Sequence, residues 1–332
     1  MNYRHAFHAG NIADCMKHAV LVWLLRAMTR KLTPFFVLDT HAGAGRYDLG
    51  SDAARRTGEA AAGIFALLDD TPVALRDYVG LVRALGDDGA MPSSSGDAQG
   101  ALPSFAVSRD SVAPLSTDRH GVPSTPEDKP GDLPPPSSSG PSQDTTTLRT
   151  YPGSPGLIHA LLRPNDHLAC CELHPEDSAA LRSLFRRFNQ ASVHHRDGWE
   201  ALKALLPPKQ KRGLILIDPP YEDPGEFTRL AGALTEAHAR FRTGVFAAWY
   251  PVKRRAQVRE LFAALPMRDV VAVELLLREP LDAARLNGSG LIVVNPPFRF
   301  EAEIPQILTA LLDRLGMREP GEAASVTRLA DE

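Results

Sequence analysis

Cysteine is scarce in this chain of 332 residues, which contains three. Three cysteines cannot build the disulfide framework that stabilises small secreted domains. Cys170 and Cys171 are adjacent within an apolar run, so a strand there would turn their side chains toward opposite faces of a sheet. We therefore expect buried free thiols in a reducing compartment.

Long apolar runs are also absent, since Arg, Asp or Pro interrupts every stretch before the ~20 residues that a transmembrane helix requires. The N-terminal residues MNYRHAFHAG lack the apolar segment of a signal peptide. These absences argue against a membrane or secreted protein. The sequence predicts a cytoplasmic protein of one large or two small domains, with no membrane partner.

The net charge is small, −3, but the acids are unevenly distributed. Residues 86–147 hold nine acids and three bases and are rich in Pro, Ser and Gly without any period. This acidic tract lacks the apolar surface that offsets the entropy of ordering, so we predict a disordered insertion between two parts of one domain. The rest carries 34 Lys and Arg against 31 Asp and Glu, a mildly basic balance compatible with an RNA substrate.

Short apolar runs alternate with helical patterns along the chain. Buried strands are predicted at 35–39, 168–172, 191–195, 214–218, 244–250, 270–277 and 290–295. Helices are predicted at 11–30, 57–69, 72–85, 176–188, 198–205, 225–240, 254–265 and 302–315. The alternation predicts an α/β fold with a seven-stranded, mostly parallel, doubly wound sheet that binds ligands at the carboxyl ends of its strands. The last two strands share a short link and should form an antiparallel pair at one edge.

The segment FFVLDTHAGAGRYDLG places a turn of small residues directly after the first strand. Gly43 and Gly45 would let the backbone approach a ligand that a Cβ atom would obstruct. A dinucleotide-binding fingerprint needs a third glycine where Asp48 stands, which disfavours a nicotinamide cofactor. The turn better suits S-adenosylmethionine, with Gly43 among the cofactor-binding residues.

Two acids follow later strands and fit the nucleoside part of that cofactor. Glu172 closes its strand and could bind both ribose hydroxyls through its two oxygens. Asp197 follows the next strand and could accept a hydrogen bond from an adenine amino group, with Gly198 giving room. For either acid alone, a helix cap or a solvated surface charge is the alternative.

The fourth strand ends abruptly in Asp218-Pro219-Pro220-Tyr221, although proline cannot continue a hydrogen-bonded ladder. For a Pro-Pro pair alone, a strand ending in a turn is the simpler interpretation. The full pattern suits methylation of an exocyclic amine. Asp218 and the Pro219 carbonyl would accept the two N–H groups of adenine N6, and Tyr221 would stack on the base. We therefore predict Asp218, Pro219 and Tyr221 as catalytic residues.

A second copy of this pattern, Asn295-Pro296-Pro297-Phe298, ends the last predicted strand. Amine methyltransferases use both the Asp and the Asn variant. An antiparallel last strand would, however, point its carboxyl end away from the cofactor. We therefore prefer Asp218.

The N-terminal segment NYRHAFHAGNIADCMKH is dense in histidine, aromatic and basic residues. Asn11 is placed to cap a helix that carries Lys17 and His18. A cluster of surface histidines is the alternative interpretation. No spacing of His and Cys here or at His194-His195 matches a metal site, so no metal is predicted.

Nine motifs cover nearly the whole chain outside 86–147: YRHAFHAGNIADCMKH, LDTHAGAGRYDLGS, RTGE, YPGSP, ELHP, DGW, RGLILIDPPYE, WYPV and GLIVVNPP. In these motifs and their order, the sequence resembles the bacterial RlmJ family, which methylates N6 of one adenosine in large-subunit (23S) ribosomal RNA. The resemblance implies a Rossmann-like class I methyltransferase domain at 1–49 and 151–332. It also implies an inserted small helical subdomain at 50–150, which contains the acidic tract.

By the same resemblance, the contacts to S-adenosylmethionine fall on His18, His41, Ser154, Glu172, Asp197, Gly198 and Asp218. Asp218 would be the catalytic aspartate, and Tyr3 would contact the substrate base beside Tyr221. The chain departs from the family pattern at Cys15, Met16 and Trp199 and in the acidic tract, whose effect on substrate access stays open.

Together these inferences predict an S-adenosylmethionine-dependent rRNA adenine-N6 methyltransferase. It would act as a monomer on protein-free or partly assembled large-subunit ribosomal RNA, with the target base flipped or already unpaired. One alternative is a DNA adenine-N6 methyltransferase with the same pocket. The other is a non-catalytic protein that binds S-adenosylmethionine or RNA.

Overall fold

The computed structural model describes residues 4–87 and 148–331. Ten strands lie in these residues: β1 (Phe36–Asp39), β2 (Arg46–Asp48), β3 (Thr150–Pro152), β4 (His167–Glu172), β5 (Ala191–His195), β6 (Gly213–Ile217), β7 (Val245–Val252), β8 (Val270–Leu276), β9 (Gly288–Val294) and β10 (Ala323–Ala330). The α-helices of the same residues are α1 (Ile12–Thr29), α2 (Asp52–Thr57), α3 (Glu59–Ala62), α4 (Ile64–Leu68), α5 (Arg76–Asp87), α6 (Ser154–Leu161), α7 (Pro175–Phe185), α8 (Gly198–Leu205), α9 (Glu226–Arg240), α10 (Arg255–Ala263) and α11 (Phe300–Leu315). Within the described ranges, no helix has the length and apolarity to span a membrane.

Eight strands form one sheet in the order β10–β8–β9–β7–β6–β1–β4–β5. The five strands from β7 to β5 are parallel, with β1 at the centre, where Leu38 lies in register with Ala169 of β4 and Ile215 of β6. Their carboxyl ends therefore lie along one side of the sheet, which we call the carboxyl edge. Helices cover both faces, which confirms the predicted doubly wound α/β fold.

The sheet has eight strands, whereas seven were predicted. The additional strand, β10, pairs with β8 in antiparallel orientation and forms the outer edge. Its sequence, AASVTRLA, is poor in large apolar residues and is nowhere fully buried, so it lacks the pattern of a core strand. β8 and β9 are the predicted antiparallel pair, but β9 lies inside the sheet, between β7 and β8.

Two apolar clusters fill the opposite faces of the sheet. One packs α1, α6 and α11 against the face of the sheet to which Cys170 points, and the other packs α8, α9 and α10 against the face to which Cys171 points. The adjacent cysteines thus point to opposite faces, as strand geometry predicts. Both are buried free thiols, as is Cys15.

The single helix predicted over 57–69 is interrupted: α3 and α4 lie within this range, and α2 ends at its first residue. Gly58 ends α2 in the left-handed conformation at φ +64°, which glycine adopts without steric cost. Ile64 of α4 and Tyr78 of α5 pack into the same apolar cluster as α1. The boundaries at residues 50 and 150 of an inserted helical subdomain stay a prediction.

The two sides of the acidic tract meet in a small second sheet. β2 and β3 pair in antiparallel orientation with Tyr47 opposite Tyr151, and Thr150 Oγ1 donates a hydrogen bond to Gly86 O at 3.2 Å. Residues 86 and 150 are therefore neighbours, as an insertion in one surface loop requires. From residue 88 to residue 147 the tract lies outside the described residues.

Candidate active site

A cavity of about 270 Å³ opens at the carboxyl edge, between α1 and the ends of β1, β4, β6 and β7. Eight of the residues predicted from the sequence line it: His18, His41, Gly43, Ser154, Glu172, Asp218, Pro219 and Tyr221. Asp197 and Gly198 line an adjoining cavity of about 180 Å³, which shares His41 and Glu172 with the larger one. Tyr3 lies outside the described residues. The fold thus brings together every predicted site residue that the structure describes.

Glu172 is held by the backbone of two neighbouring loops. Its Oε2 accepts a hydrogen bond from Gly43 N at 2.8 Å, and its Oε1 accepts one from His174 N at 2.7 Å. A carboxylate has about four acceptor positions, so two remain available to ribose hydroxyls. Burial raises the pKa of Glu172, which the two amide hydrogen bonds partly offset.

The glycine turn comes close to a tyrosine that the sequence patterns did not indicate. Gly43 has φ +62°, and a Cβ atom there would lie 2.0 Å from Tyr47 Oη. Tyr47 Oη also accepts a hydrogen bond from Ala44 N at 3.2 Å. A larger residue at position 43 would displace Tyr47 from the wall of the cavity. Glycine is therefore required here both by conformation and by space.

Asp197 is the N-cap of α8, so the helix-cap alternative is correct for this residue. Its Oδ1 accepts a hydrogen bond from Trp199 N at 2.7 Å. Its Oδ2 lies 3.3 Å from Arg229 Nη2, and the Arg229 guanidinium stacks over the Trp199 ring at 4.9 Å. The cap does not remove Asp197 from the smaller cavity. A Cβ atom at Gly198 would lie 2.1 Å from Thr40 O, so glycine lets α8 approach the end of β1.

The Asp218-Pro219-Pro220-Tyr221 segment leaves the sheet at the end of β6 and turns at Tyr221, whose φ is +53°. The Tyr221 hydroxyl donates a hydrogen bond to Trp249 O at 2.9 Å. The two rings meet edge to face at 5.5 Å. Burial raises the pKa of Tyr221 well above its ordinary value, so the hydroxyl stays a donor. Two aromatic rings therefore stand beside Asp218 in the cavity wall.

The second Pro-Pro copy lies at the opposite side of the sheet. Asn295 Nδ2 donates hydrogen bonds to Arg242 O at 2.8 Å and to Gly244 O at 2.7 Å, just before β7 begins. Because β9 is antiparallel to β7, its carboxyl end is remote from Asp218. Asn295 closes a turn and lines neither cavity at the carboxyl edge.

Lys17 and Asp14 of α1 also line the cavity, although the sequence patterns gave neither residue a role in the site. Lys17 Nζ donates a hydrogen bond to Asp218 Oδ2 and lies 3.0 Å from Asp14 Oδ1. Asp14 Oδ2 lies 2.8 Å from His5 Nε2 and accepts a hydrogen bond from Gly10 N at 3.0 Å. Burial favours the neutral acid, but the charges of His5 and Lys17 outweigh it and lower the pKa of Asp14 well below its ordinary value.

The start of α1 is the feature of the sequence that could have indicated Asp14 and Lys17 as site residues. Asn11 caps the helix by accepting a hydrogen bond from Asp14 N at 2.8 Å, as predicted. With that start, Asp14 and Lys17 are three residues apart and share one face of the helix. A buried i,i+3 pair on the helix that carries His18 would have indicated the cluster.

Both histidines predicted from the family are neutral; His18 is buried, and His41 is partly exposed where it lines the two cavities. Burial lowers the pKa of His18 to about 3 and that of His41 to about 4. His18 Nδ1 lies 2.7 Å from Tyr151 Oη, which lies 2.9 Å from Tyr78 Oη of α5. This chain of hydrogen bonds connects the cavity wall to the helices of residues 52–87. His18 and His41 can therefore act as hydrogen-bonding groups but not as cations at neutral pH.

The position of Ser154 in the cavity wall is set by a hydrogen bond to Asp39, the last residue of β1. Its Oγ donates a hydrogen bond to Asp39 Oδ2 at 2.7 Å. Asp39 is fully buried, and its Oδ1 has no partner among the described residues. Burial raises the pKa of Asp39 to about 7. A buried carboxyl with one unpaired oxygen thus lies directly behind the glycine turn.

The chain matches a protein-family model described as Ribosomal RNA large subunit methyltransferase D, RlmJ, over residues 32–100 and 142–327. It is 35% identical to Ribosomal RNA large subunit methyltransferase J of Escherichia coli (strain K12) over 328 aligned residues, and the alignment covers 97% of this chain and 97% of the relative. It is 33% identical over 320 residues to the protein of that name from Haemophilus influenzae, covering 95% of this chain and 94% of the relative. A crystal structure of a protein from Legionella pneumophila aligns with a TM-score of 0.73 at 29% identity, covering 97% of this chain and 98% of the other.

Proposed function

Because the chain belongs to the RlmJ family of ribosomal RNA large subunit methyltransferases, we propose that it methylates N6 of an adenosine in large-subunit ribosomal RNA, with S-adenosylmethionine as the methyl donor. The position of Asp218 carries the proposal. Its carboxylate lines the larger cavity beside two aromatic rings, next to a smaller cavity whose acids suit a nucleoside. Methyl transfer needs two adjoining binding sites of this kind, one for the base that accepts the methyl group and one for the nucleoside part of the cofactor.

The hydrogen-bonding groups at the carboxyl edge fit S-adenosylmethionine. Glu172 would bind the ribose hydroxyls, and Asp197 would face the adenine from the smaller cavity. The turn at Gly43 would approach the methionyl part, beside the buried carboxyl of Asp39 with its unpaired oxygen. The cofactor supplies an electrophilic methyl group on a sulfonium. The protein supplies hydrogen bonds that hold it in one orientation.

Asp218 and the Pro219 carbonyl would position the target amine. The N6 lone pair of adenine is delocalised into the ring, which makes it a poor nucleophile. Two acceptors that take its two N–H groups favour tetrahedral geometry at nitrogen and direct the lone pair toward the methyl group. An alkylated amine loses its proton readily. Asp218 therefore needs to hold the amine more than to act as a strong base.

Lys17 would fix the orientation of that carboxylate. Its hydrogen bond to Asp218 Oδ2 leaves Oδ1 free to face the base, and Asp14 holds the ammonium from the other side at 3.0 Å. A charge-assisted contact of this kind is shorter and stronger than a neutral one. The Tyr221 and Trp249 rings would then limit the base to one plane.

The RNA partner must present an unpaired base, since an amine stacked inside a duplex cannot enter a recessed cavity. We propose that the chain acts in the cytoplasm, as a monomer, on protein-free or partly assembled large-subunit RNA. The relatives named ribosomal RNA large subunit methyltransferase J support the substrate class.

The test is methyl transfer from labelled S-adenosylmethionine to unmodified large-subunit rRNA, followed by nucleoside analysis. We expect N6-methyladenosine with the wild type and none with Asp218→Ala. Asn295→Ala is the matched control, because it alters the other Pro-Pro segment at the far side of the sheet. It should retain the activity of the wild type per folded molecule.

Three results would contradict the proposal. Label in DNA and not in RNA would favour the DNA methyltransferase alternative. Cofactor binding without label in either nucleic acid would favour the non-catalytic alternative. Label at an adenosine atom other than N6 would contradict the role given to Asp218 and Pro219.

A further inference from the structure

Lys253 lines the larger cavity, and the next residue of the chain is Arg254. Lys253 directly follows Val252, the last residue of β7, so it lies at the same carboxyl edge as Asp218. It lines the cavity together with Trp249 of the same strand. Arg254 is the next residue along the chain, and both side chains are exposed. We call Lys253 and Arg254 the rim pair.

The charges of the rim pair are not neutralised within the described part of the protein. Neither residue forms an ion pair with a described residue, whereas nearby cations do. Lys17 forms ion pairs with Asp14 and Asp218. Arg255, which follows the rim pair in the chain, lies 2.7 Å from Glu274. The rim pair therefore carries two positive charges, one of them on the cavity wall, that remain available to a ligand.

The backbone at Lys253 is held in place by Asn287, which is fully buried. Asn287 N donates a hydrogen bond to Val252 O at 3.0 Å. Its Nδ2 donates to Lys253 O at 2.9 Å and to Asp282 O at 2.6 Å. The loop before β9, which adds Leu286 to the cavity wall, is thereby joined to the end of β7. The backbone at Lys253 is therefore held in place before any ligand arrives.

We infer that the rim pair binds the phosphates on either side of the target adenosine. This inference rests on the proposed function, because it takes RNA as the ligand. A base that enters the cavity past Tyr221 and Trp249 leaves its sugar and its two phosphates at the mouth, since they are covalently joined. Each phosphate carries a negative charge, and lysine and arginine are the side chains that neutralise it. The rim pair thus sets affinity and register, while the cavity selects the base.

The experiment compares two double variants of the full chain. Lys253→Gln/Arg254→Gln removes the rim pair. Lys209→Gln/Lys211→Gln removes two charges that are also exposed and without an ion pair to a described residue, but that precede β6 at the opposite side of the sheet. RNA binding is measured by filter retention of unmodified large-subunit rRNA over a range of salt concentrations. Methylation kinetics give KM for RNA and for S-adenosylmethionine.

We expect the rim variant to raise KM for RNA by about tenfold. It should make the slope of log K against log salt less negative by about 1.4, since each contact to a single strand contributes about −0.7. KM for S-adenosylmethionine should stay within about twofold. The single variant Lys253→Arg keeps both charges of the rim pair and should therefore retain most of the affinity of the wild type for RNA. The control variant should move KM for RNA much less.

Equal effects of the two double variants would overturn the inference, because they would show only a dependence on total charge. An unchanged salt slope in the rim variant would overturn it as well. The binding assay needs no turnover, so it tests the rim pair apart from catalysis. If the wild type binds RNA with the expected dependence on the rim pair but methylates none, the proposed function fails and the RNA contact stands.

Discussion

Lys17 of the first helix donates a hydrogen bond to Asp218, which follows it by 201 residues. The lysine also contacts Asp14, one turn earlier on the same helix, at 3.0 Å. All three side chains line the larger cavity. The candidate catalytic carboxylate is therefore oriented by a cation that the N-terminal segment contributes.

Loss of Lys17 should slow the reaction without weakening cofactor binding. In Lys17→Met, Asp218 lacks its oriented donor, and we expect kcat to fall by about 100-fold, the effect of removing one preorganised contact. The dissociation constant of S-adenosylmethionine should stay within about threefold. Single-turnover kinetics and calorimetry measure the two quantities. Arg26→Met is the control, since Arg26 lies on the same helix in a surface pair with Asp77. A variant at position 17 with the kcat of the wild type would contradict the role of Lys17.

Asp39 should make the protein less stable as the pH rises through the mildly acidic range. Burial raises the pKa of Asp39 to about 7 in the folded chain, against about 3.9 in an unfolded one. Between these values the folded state holds a proton that the unfolded state has released, so the free energy of unfolding falls with rising pH. Above pH 7 the loss is complete and is on the order of 4 kcal/mol.

Asp39→Asn removes this dependence, because the amide does not titrate and its oxygen can still accept from Ser154. Urea denaturation of both proteins from pH 4 to pH 8 gives the difference in unfolding free energy. We expect the unfolding free energy of the variant to increase relative to that of the wild type as the pH rises across this range. Parallel curves for the two proteins would show that Asp39 does not hold a proton in the folded state.

Glu172 should be required for cofactor binding. Glu172→Gln keeps one acceptor oxygen but loses the charge and one of the two contacts to the backbone amides of Gly43 and His174. Hydrogen bonds to a charged group contribute about 1.5–3 kcal/mol, so we expect the affinity for S-adenosylmethionine to fall by roughly 10- to 100-fold. Glu176→Gln, an exposed acid paired with Arg4 at the start of α7, is the control. Isothermal titration would refute this role if both variants bound the cofactor equally.

The acidic tract should be dispensable for folding. Gly86 and Thr150 are joined by a hydrogen bond of 3.2 Å, so a short linker can close the chain between them. Replacing residues 88–146 with a few Gly and Ser residues shortens a loop, and loop closure depends only weakly on length. We expect a soluble protein with a thermal midpoint within about 4 °C of the wild type and with retained methyl transfer. An insoluble product would show that the tract contributes to the core.

Local patterns were sufficient for most of the fold and for part of the site. All seven predicted strands are present, because strands buried in a sheet are short apolar runs bounded by turn residues. The glycine turn, Glu172, Asp197 and Asp218 were found from their positions after these strands, since parallel strands end along one edge. The choice of Asp218 over Asn295 also follows from strand direction, and β9 is indeed antiparallel to β7.

Other features arise only when distant parts of the chain meet. β10 has a weak pattern of its own and becomes a strand because the exposed edge of β8 offers hydrogen-bonding partners. The hydrogen bonds from His18 through Tyr151 to Tyr78 join α1, β3 and α5, which lie on both sides of the acidic tract in the chain. These contacts join residues that are far apart in the chain, so no local sequence pattern predicts them.

The sequence by itself therefore determined the elements, their order and the acids at the ends of the strands, because these depend on short-range preferences and on the direction of the chain. The tertiary structure alone decided which cation faces which acid. Whether Lys17 contacts Asp218, and whether Asp39 is buried deeply enough to hold its proton, depends on how α1 and α6 pack against the sheet. Packing of that kind is the sum of many contacts between distant residues, and no single segment encodes it.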